Sequence, residues 1–254
     1  MQDPAKIIVC LPAYNEAANL PKLLERFERV FSELDFPHRY IVCDDGSTDN
    51  TPELLREWQQ RVTMEILTHS PNQGLGATIR DVLKAGTEAA SPGDAILTMD
   101  ADNTHPPEIL PEIIALYSTE ADIVIASRYQ PGAYVRGLSA FRRFASGGAG
   151  ILFRLILPMK GVKDYTCGYR LYRAPLLKKT FELYGDELVT ESGFSCMADL
   201  LLKMRPFRPV CKEAALPLHY DVKEGESKMR VGRTILNTLR LIAQRRLGIG
   251  IRRP

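Results

Sequence analysis

The sequence predicts an α/β protein: a mostly parallel sheet with helices on both faces, followed by a basic amphipathic helix at the C-terminal end. Three observations carry this. Apolar, β-branched runs of strand length alternate with segments of helical periodicity through the first half. Those runs are continuously apolar rather than alternating, as in strands covered on both faces. From Ser227 to Pro254 there are eight Lys or Arg and no Asp or Glu, on a chain whose formal charge is only +2.

The elements follow in order. KIIVCLP (6–12) reads as a buried strand. Residues 18–34 read as a helix, with Leu20, Leu23, Leu24, Phe27, Val30 and Phe31 at helical spacing. RYIVCDD (39–45) is a second strand, and 51–62 a helix with Pro52 suited to its first turn. A third strand over 64–69 leads to a helix over 75–90, a fourth over 94–100 to a helix over 107–117, and a fifth spans 121–128. The second half is less regular: a helix over 139–157 with Gly147, Gly148 and Gly150 in its middle, a strand over 165–173, a helix over 191–204, a strand over 211–220 and a helix over 230–246. No repeat or linker interrupts the chain, so one domain (1–229) with a C-terminal extension (230–254) is expected.

Composition narrows the function classes. Five scattered cysteines form no C-x-x-C pair, which argues against a zinc site or a disulfide framework and fits a reducing cytoplasm. The start of the chain lacks the pattern of a signal peptide. No run reaches the roughly 18–20 apolar residues needed to span a bilayer, so no transmembrane anchor of its own is expected. The first strand leads into LPAYNEAAN rather than G-x-G-x-x-G, which counts against a dinucleotide-binding enzyme. The body is nearly neutral and its aromatics are not interleaved with basic residues, so nucleic acid is not an expected partner.

In parallel sheets ligands bind beyond the carboxyl ends of the strands. Those exits read LPAYNE, CDDGSTDN, THSPNQGLGA, MDADNTHPPE and ASRYQPG. Asp100 and Asp102 stand one residue apart after the fourth strand. Such a pair is either turn chemistry or a pair of hard oxygens for Mg²⁺ or Mn²⁺, which are often held by one or two carboxylates plus substrate phosphates. Asp44 and Asp45 occupy a neighbouring exit, where one carboxylate suits a ribose hydroxyl or a base N–H and the alternative is a turn into the next helix. NQGLGA (72–77) has two close glycines but is not a P-loop. The four histidines form no ligand spacing and read as structural or surface residues, with His105 near enough to the Asp pair to touch it.

PAYNE, DDGSTDNT, NQGLGATI, DADNTHPPE, SRY, DYTCGYRLYR and EGESKM occur in this order. Together they resemble family 2 glycosyltransferases of the GT-A fold, a Rossmann-like sheet, and more narrowly the polyprenyl-phosphate hexosyltransferases. The resemblance implies that Pro12, Tyr14, Glu16 and Asp45 line a nucleoside pocket. It implies that Asp100, Ala101 and Asp102 form the D-x-D segment that reaches the metal and the donor diphosphate, with Thr104, where the family often has Gln, as a third candidate metal ligand. Arg128 would contact the donor phosphates. Arg142 and Ser146, at i, i+4, would contact the acceptor phosphate, and Lys228, with Lys223 as the basic residue preceding GESK, would also serve the phosphates.

The implied reaction is inverting, metal-dependent transfer of a hexose from a GDP- or UDP-sugar to a polyprenyl phosphate. A dianionic phosphate acceptor needs cations to position it rather than a general base. The alternatives are a family 2 enzyme acting on a hydroxyl of a glycolipid or polysaccharide, and a non-catalytic subunit that keeps the fold. Processive members carry Q-x-x-R-W, which is absent here because the only tryptophan is Trp58. In the tail, Val231, Ile235, Leu239 and Ile242 form one stripe with Arg240, Arg245 and Arg246 nearby. That helix either packs back on the domain or lies at an anionic membrane surface. A peripheral position at the cytoplasmic membrane face is expected, and recruitment by a separate membrane protein stays open.

Overall fold

The computed structural model describes residues 3–137, 148, 150–193, 195–219 and 231–253. Its strands are β1 (Ile7–Ala13), β2 (His38–Asp44), β3 (Met64–Thr68), β4 (Ala95–Thr98), β5 (Ile123–Ser127), β6 (Tyr134–Arg136), β7 (Arg170–Arg173), β8 (Cys211–Ala215) and β9 (Pro217–His219). Its helices are α1 (Leu20–Leu34), α2 (Thr51–Gln59), α3 (Leu75–Glu88), α4 (Leu110–Ser118), α5 (150–156), α6 (Ala174–Tyr184), α7 (Ser195–Met204) and α8 (Val231–Arg246).

Seven strands form one sheet in the order β3-β2-β1-β4-β7-β5-β8, and β6 pairs with β9 in a small parallel ribbon. Every residue of β1, β4 and β5 is buried, which explains their continuous apolar sequence. The chain runs from β1 outward through β2 to β3, then returns to place β4 on the other side of β1. The crevice between the exits of β1 and β4 is therefore a topological switch point, where open α/β sheets bind ligands. α3, α6, α7 and α8 pack in succession, while α1 packs on the turn that leads into α4.

β7 is antiparallel to both β4 and β5. The sequence predicts a strand over all of 165–173, but the ladder holds only Arg170–Arg173. The preceding residues are drawn off by Asp164, whose Oδ1 accepts from the backbone N–H groups of Thr166 (3.2 Å) and Cys167 (3.1 Å). Because β7 runs backwards, that loop arrives at the same end as the exits of β4 and β5. The strand expected over 211–220 is split at Leu216 between β8 and β9. α6 was not anticipated from the sequence, although Leu176, Leu177, Thr180 and Tyr184 form its buried stripe and Pro175 suits its first turn.

Glycine is required in α3, where a Cβ on Gly76 would lie 2.2 Å from the carbonyl oxygen of Glu191. Gly76→Ala is expected to destabilise by about 1–3 kcal/mol through backbone displacement. That lowers the melting midpoint by several degrees, about 2–4 °C per kcal/mol at this chain length. An unchanged midpoint in calorimetry would contradict the close packing of 191 on α3.

α8 packs back on the domain. Thr238, Leu241, Ile242 and Arg245 face inward and are buried, whereas Leu236 and Leu239 are 67% and 48% exposed. The predicted apolar stripe is therefore split: Ile242 goes to the core and Leu239 to the surface. Arg245 leaves the surface because its Nε donates to Asp199 Oδ1 at 2.6 Å, and Asp199 also holds Lys203 at 2.9 Å. All five cysteines are buried free thiols. Burial pushes the thiols up, those of Cys43, Cys167, Cys196 and Cys211 to about 12.

Candidate active site

The PAYNE and DDGSTD loops are built as one unit. Asn15 takes a left-handed conformation (φ 52°) that a short polar residue tolerates. Its N–H donates to Ser47 Oγ (2.8 Å) and its Oδ1 accepts from Thr48 N–H (2.7 Å). Glu16 N–H donates to Thr51 Oγ1 (2.9 Å), and Glu16 Oε2 accepts from Asn19 Nδ2 (2.8 Å). Pro12 pairs with Cys43 across β1 and β2, and Asp45 N–H donates to Ala13 O (2.8 Å). Pro12, Tyr14, Glu16 and Asp45 thus stand together at the exits of β1 and β2.

Asp45 is 3% exposed and held on several sides. Oδ1 accepts from Gln73 N–H (2.8 Å) and Oδ2 from Gly74 N–H (2.8 Å), so the NQGLG turn wraps this carboxylate. His69 Nδ1 lies 2.7 Å from Asp45 Oδ1, and Nε2 lies 3.0 Å from Asp81 Oδ2. Asp81 in turn receives Arg80 through Nε (2.7 Å) and Nη2 (2.9 Å). His69 therefore bridges the carboxylate at the β2 exit to α3. The sequence marks His69 only by its position one residue past β3. His69→Phe is expected to cost about 2 kcal/mol, the scale of one charge-assisted hydrogen bond, because Asp45 keeps two backbone donors and Asp81 keeps Arg80. Denaturant unfolding checks the cost, and a full-strength variant would remove His69 from this network.

The D-x-D segment forms a tight loop after β4. Asn103 takes φ 60°, and its Oδ1 accepts from Arg26 Nη1 of α1 at 2.6 Å. Arg26 also forks onto Glu108 at 2.9 and 2.6 Å. Ala101 is buried, and Asp102 is 9% exposed. Thr104 donates both its N–H (3.1 Å) and its hydroxyl (2.7 Å) to Asp102 Oδ1, so it orients that carboxylate. Asp100 is partly exposed, with His105 Nδ1 4.0 Å from its Oδ2.

The antiparallel loop closes the far side. A Cβ on Gly168 would lie 3.3 Å from Asp100 Oδ1, so glycine leaves room beside this carboxylate. Thr98 Oγ1 fixes Gly168 by donating to its carbonyl at 2.7 Å. Arg128, beyond β5, is two strands from β4, about 10 Å by strand spacing. Its Nε and Nη2 donate to Asp164 Oδ2 (2.8 Å) and Oδ1 (2.7 Å), and Nη2 also donates to Thr166 Oγ1 (2.6 Å). Burial pushes the Asp164 carboxyl up, but the Arg128 guanidinium and the backbone donors outweigh it and hold the carboxyl below its ordinary value. Glu213 of β8 accepts from the N–H groups of Lys163 (2.6 Å) and Asp164 (2.7 Å) and pins the loop. Asp164, Thr166 and Gly168 lie within the DYTCGYRLYR stretch, but no local pattern assigns them individual roles.

Arg142, Ser146, Lys223 and Lys228 lie outside the described residues. Among the described residues no group of three or more His, Cys, Asp or Glu side chains forms a metal cage. Two hard carboxylates at a loop tip with space beside one of them suit a hard divalent cation that takes its other oxygens from a ligand. The donor chemistry therefore fits Mg²⁺ or Mn²⁺.

Comparison with known proteins agrees with this architecture. The glycosyl transferase family 2 model matches residues 8–181. A dolichol-phosphate mannosyltransferase of Pyrococcus furiosus is 31% identical over 93% of this chain, which spans 62% of that relative's length. An undecaprenyl-phosphate mannosyltransferase of Micrococcus luteus is 30% identical over 92% of this chain and 93% of its own. A glucosyl-3-phosphoglycerate synthase from Mycobacterium tuberculosis, solved with Mg²⁺ and uridine-diphosphate, superposes with a TM-score of 0.64. It is 19% identical, over 97% of this chain and 80% of that one, and shares the GT-A fold. The sheet order, the switch-point loops and these matches agree: the chain belongs to glycosyl transferase family 2.

Proposed function

We propose that this chain transfers a hexose, mannose or glucose, from a GDP- or UDP-sugar to a polyprenyl phosphate, with inversion at the anomeric carbon and dependence on Mg²⁺ or Mn²⁺. The observation that carries this reading is the pair Asp100 and Asp102 at the β1/β4 switch point, with Gly168 leaving space beside Asp100. The mannosyltransferase relatives support the polyprenyl-phosphate acceptor. In this reading Pro12, Tyr14, Glu16 and Asp45 hold the nucleoside, and Asp100 and Asp102 hold the cation. A bound cation would offset the negative charge that develops on the leaving diphosphate. Ala101 contributes backbone to the donor site, and Thr104 aims Asp102 at the metal. Arg128 faces the donor phosphates in a posture set by Asp164. From the sequence resemblance Arg142 and Ser146 are assigned to the acceptor phosphate, and Lys223 and Lys228 to the phosphates of the site. A phosphate monoester is largely dianionic at pH 7, so these cations position it and no base is required.

We assign the enzyme to the cytoplasmic membrane face as a peripheral protein, alone or through a membrane-protein recruiter. None of the described helices is long and apolar enough to cross a membrane. The outer side of α8 and the turn after it expose Leu236, Leu239 and Leu247 beside Arg240 and Arg246. Basic residues at an anionic surface contribute about 1 kcal/mol each.

The test is a transfer assay on purified protein with a short polyprenyl phosphate. GDP-mannose, UDP-glucose and UDP-N-acetylglucosamine are offered separately with each metal. A lipid-linked sugar from one donor, absent under chelation, is the expected result. Metal-dependent donor hydrolysis without lipid product would move the acceptor to a hydroxyl, and neither product would favour a non-catalytic subunit.

A further inference from the structure

A cavity of about 560 Å³ lies at the opposite end of the sheet from the D-x-D loop. β5 and β8 are parallel and begin together at the Ile123–Cys211 pair, where Asp122 Oδ2 accepts from Val210 N–H at 2.8 Å. The cavity opens beside the turn that precedes this start. Arg205, Arg208, Arg246 and Arg253 line it over an apolar floor that includes Leu157 and Leu202, and among the described residues no carboxylate lines it.

These four side chains are exposed at the cavity's rim, whereas several other arginines are neutralised by carboxylates. Arg26, Arg39, Arg56, Arg80, Arg173 and Arg252 each pair with an Asp or Glu. Among the described residues, Arg205, Arg208, Arg246 and Arg253 make no side-chain hydrogen bond and no ion pair. Four guanidiniums around one cavity repel each other unless an anion joins them, and guanidinium forks match phosphate oxygens bidentately.

The walls are built rather than incidental. Arg245, the fifth arginine at the cavity, is fixed by Asp199. The chain then turns back through Gly248 (φ 76°) and Gly250 (φ 70°), with Ile249 N–H donating to Gln244 O at 3.0 Å. The left-handed φ of Gly250 is what favours glycine in this return, and a Cβ there would also meet Arg245 Nη1 at 2.5 Å. Arg252 N–H donates to Tyr184 Oη at 2.9 Å and ties the returning chain to α6.

We propose that this cavity binds a phosphate-bearing anion, at a site separate from the D-x-D loop. Its apolar floor receives the carbon portion of the ligand. The source is an anionic lipid headgroup or a soluble diphosphate. Leu247 and Ile249, 77% and 54% exposed in the turn that closes the cavity, would meet lipid in the first case.

The test uses the full chain without donor, acceptor or divalent metal, so its outcome is independent of the transfer reaction. Inorganic pyrophosphate is titrated by calorimetry, and flotation is measured with phosphatidylcholine vesicles with and without phosphatidylglycerol. R205Q/R253Q is compared with R56Q/R61Q, which removes the same charge elsewhere. At least about a tenfold loss in the first variant alone is expected, since each lost phosphate contact is charge-assisted. Loss confined to pyrophosphate assigns a soluble ligand, and loss confined to phosphatidylglycerol vesicles assigns a headgroup. Undiminished binding by R205Q/R253Q, an equal loss in both variants, or no binding of either probe by the unaltered chain overturns the proposal.

Discussion

Replacing Asp102 by Asn is expected to lower kcat for sugar transfer about a thousandfold, the scale seen when one electrostatic partner of a developing charge is removed. Asn keeps an oxygen for the two bonds from Thr104, so the loop retains its shape. What is lost is the charge that would hold the cation. Thermal denaturation in the absence of metal should match that of the unaltered chain. Stabilisation by Mn²⁺ together with a nucleoside diphosphate should disappear, because a ligand stabilises only the state that binds it. Full activity in D102N would remove Asp102 from the metal site. Lost activity with a melting midpoint lowered without ligand would instead give the residue a folding role.

Asp164→Asn is expected to cost about 3–5 kcal/mol, because it leaves the Arg128 charge without its buried partner. For a chain of this length the melting midpoint should fall by roughly 10 °C. Asp164 is fully buried and fully bonded, through Arg128 Nε and Nη2 and three backbone N–H groups. Its carboxyl is held below the ordinary value. A depressed carboxyl stabilises the fold above its unfolded value, near pH 4, and that stability is lost as pH falls below it. The unaltered chain should therefore lose stability more steeply than D164N below about pH 4, which acid unfolding measures. Asp164 acts through Arg128 and the 164–168 loop, so it is a positioning residue. KM for the donor should rise more than kcat falls, whereas a purely structural role would leave both unchanged in the folded fraction.

Much of the site's location was legible because it rests on local rules. Continuous apolar runs separated by helical periodicities give parallel strands, and parallel strands put their exits at one end. PAYNE, DDGSTD and DADNT follow consecutive or sheet-adjacent strands, so their neighbourhood follows from strand order. Even the positive-φ residues Asn15 and Asn103 are of the type that tolerates such turns. The long-range pairings were not legible. Nothing near His69 announces that its ring will sit between Asp45 and Asp81, 24 and 12 residues away. The tail periodicity suggested one apolar stripe, yet Asp199 draws Arg245 inward and leaves Leu239 outside.

The alternation of strands and helices, the polar exits and the acidic pair after the fourth strand are written locally in the chain, because each depends on a short run of consecutive residues. That β7 runs backwards between β4 and β5 is set by long-range pairing. That reversal brings Gly168 beside Asp100 and locks Arg128 onto Asp164. It depends on hydrogen bonds and ion pairs between segments 36 to 70 residues apart, whose closure no local pattern encodes.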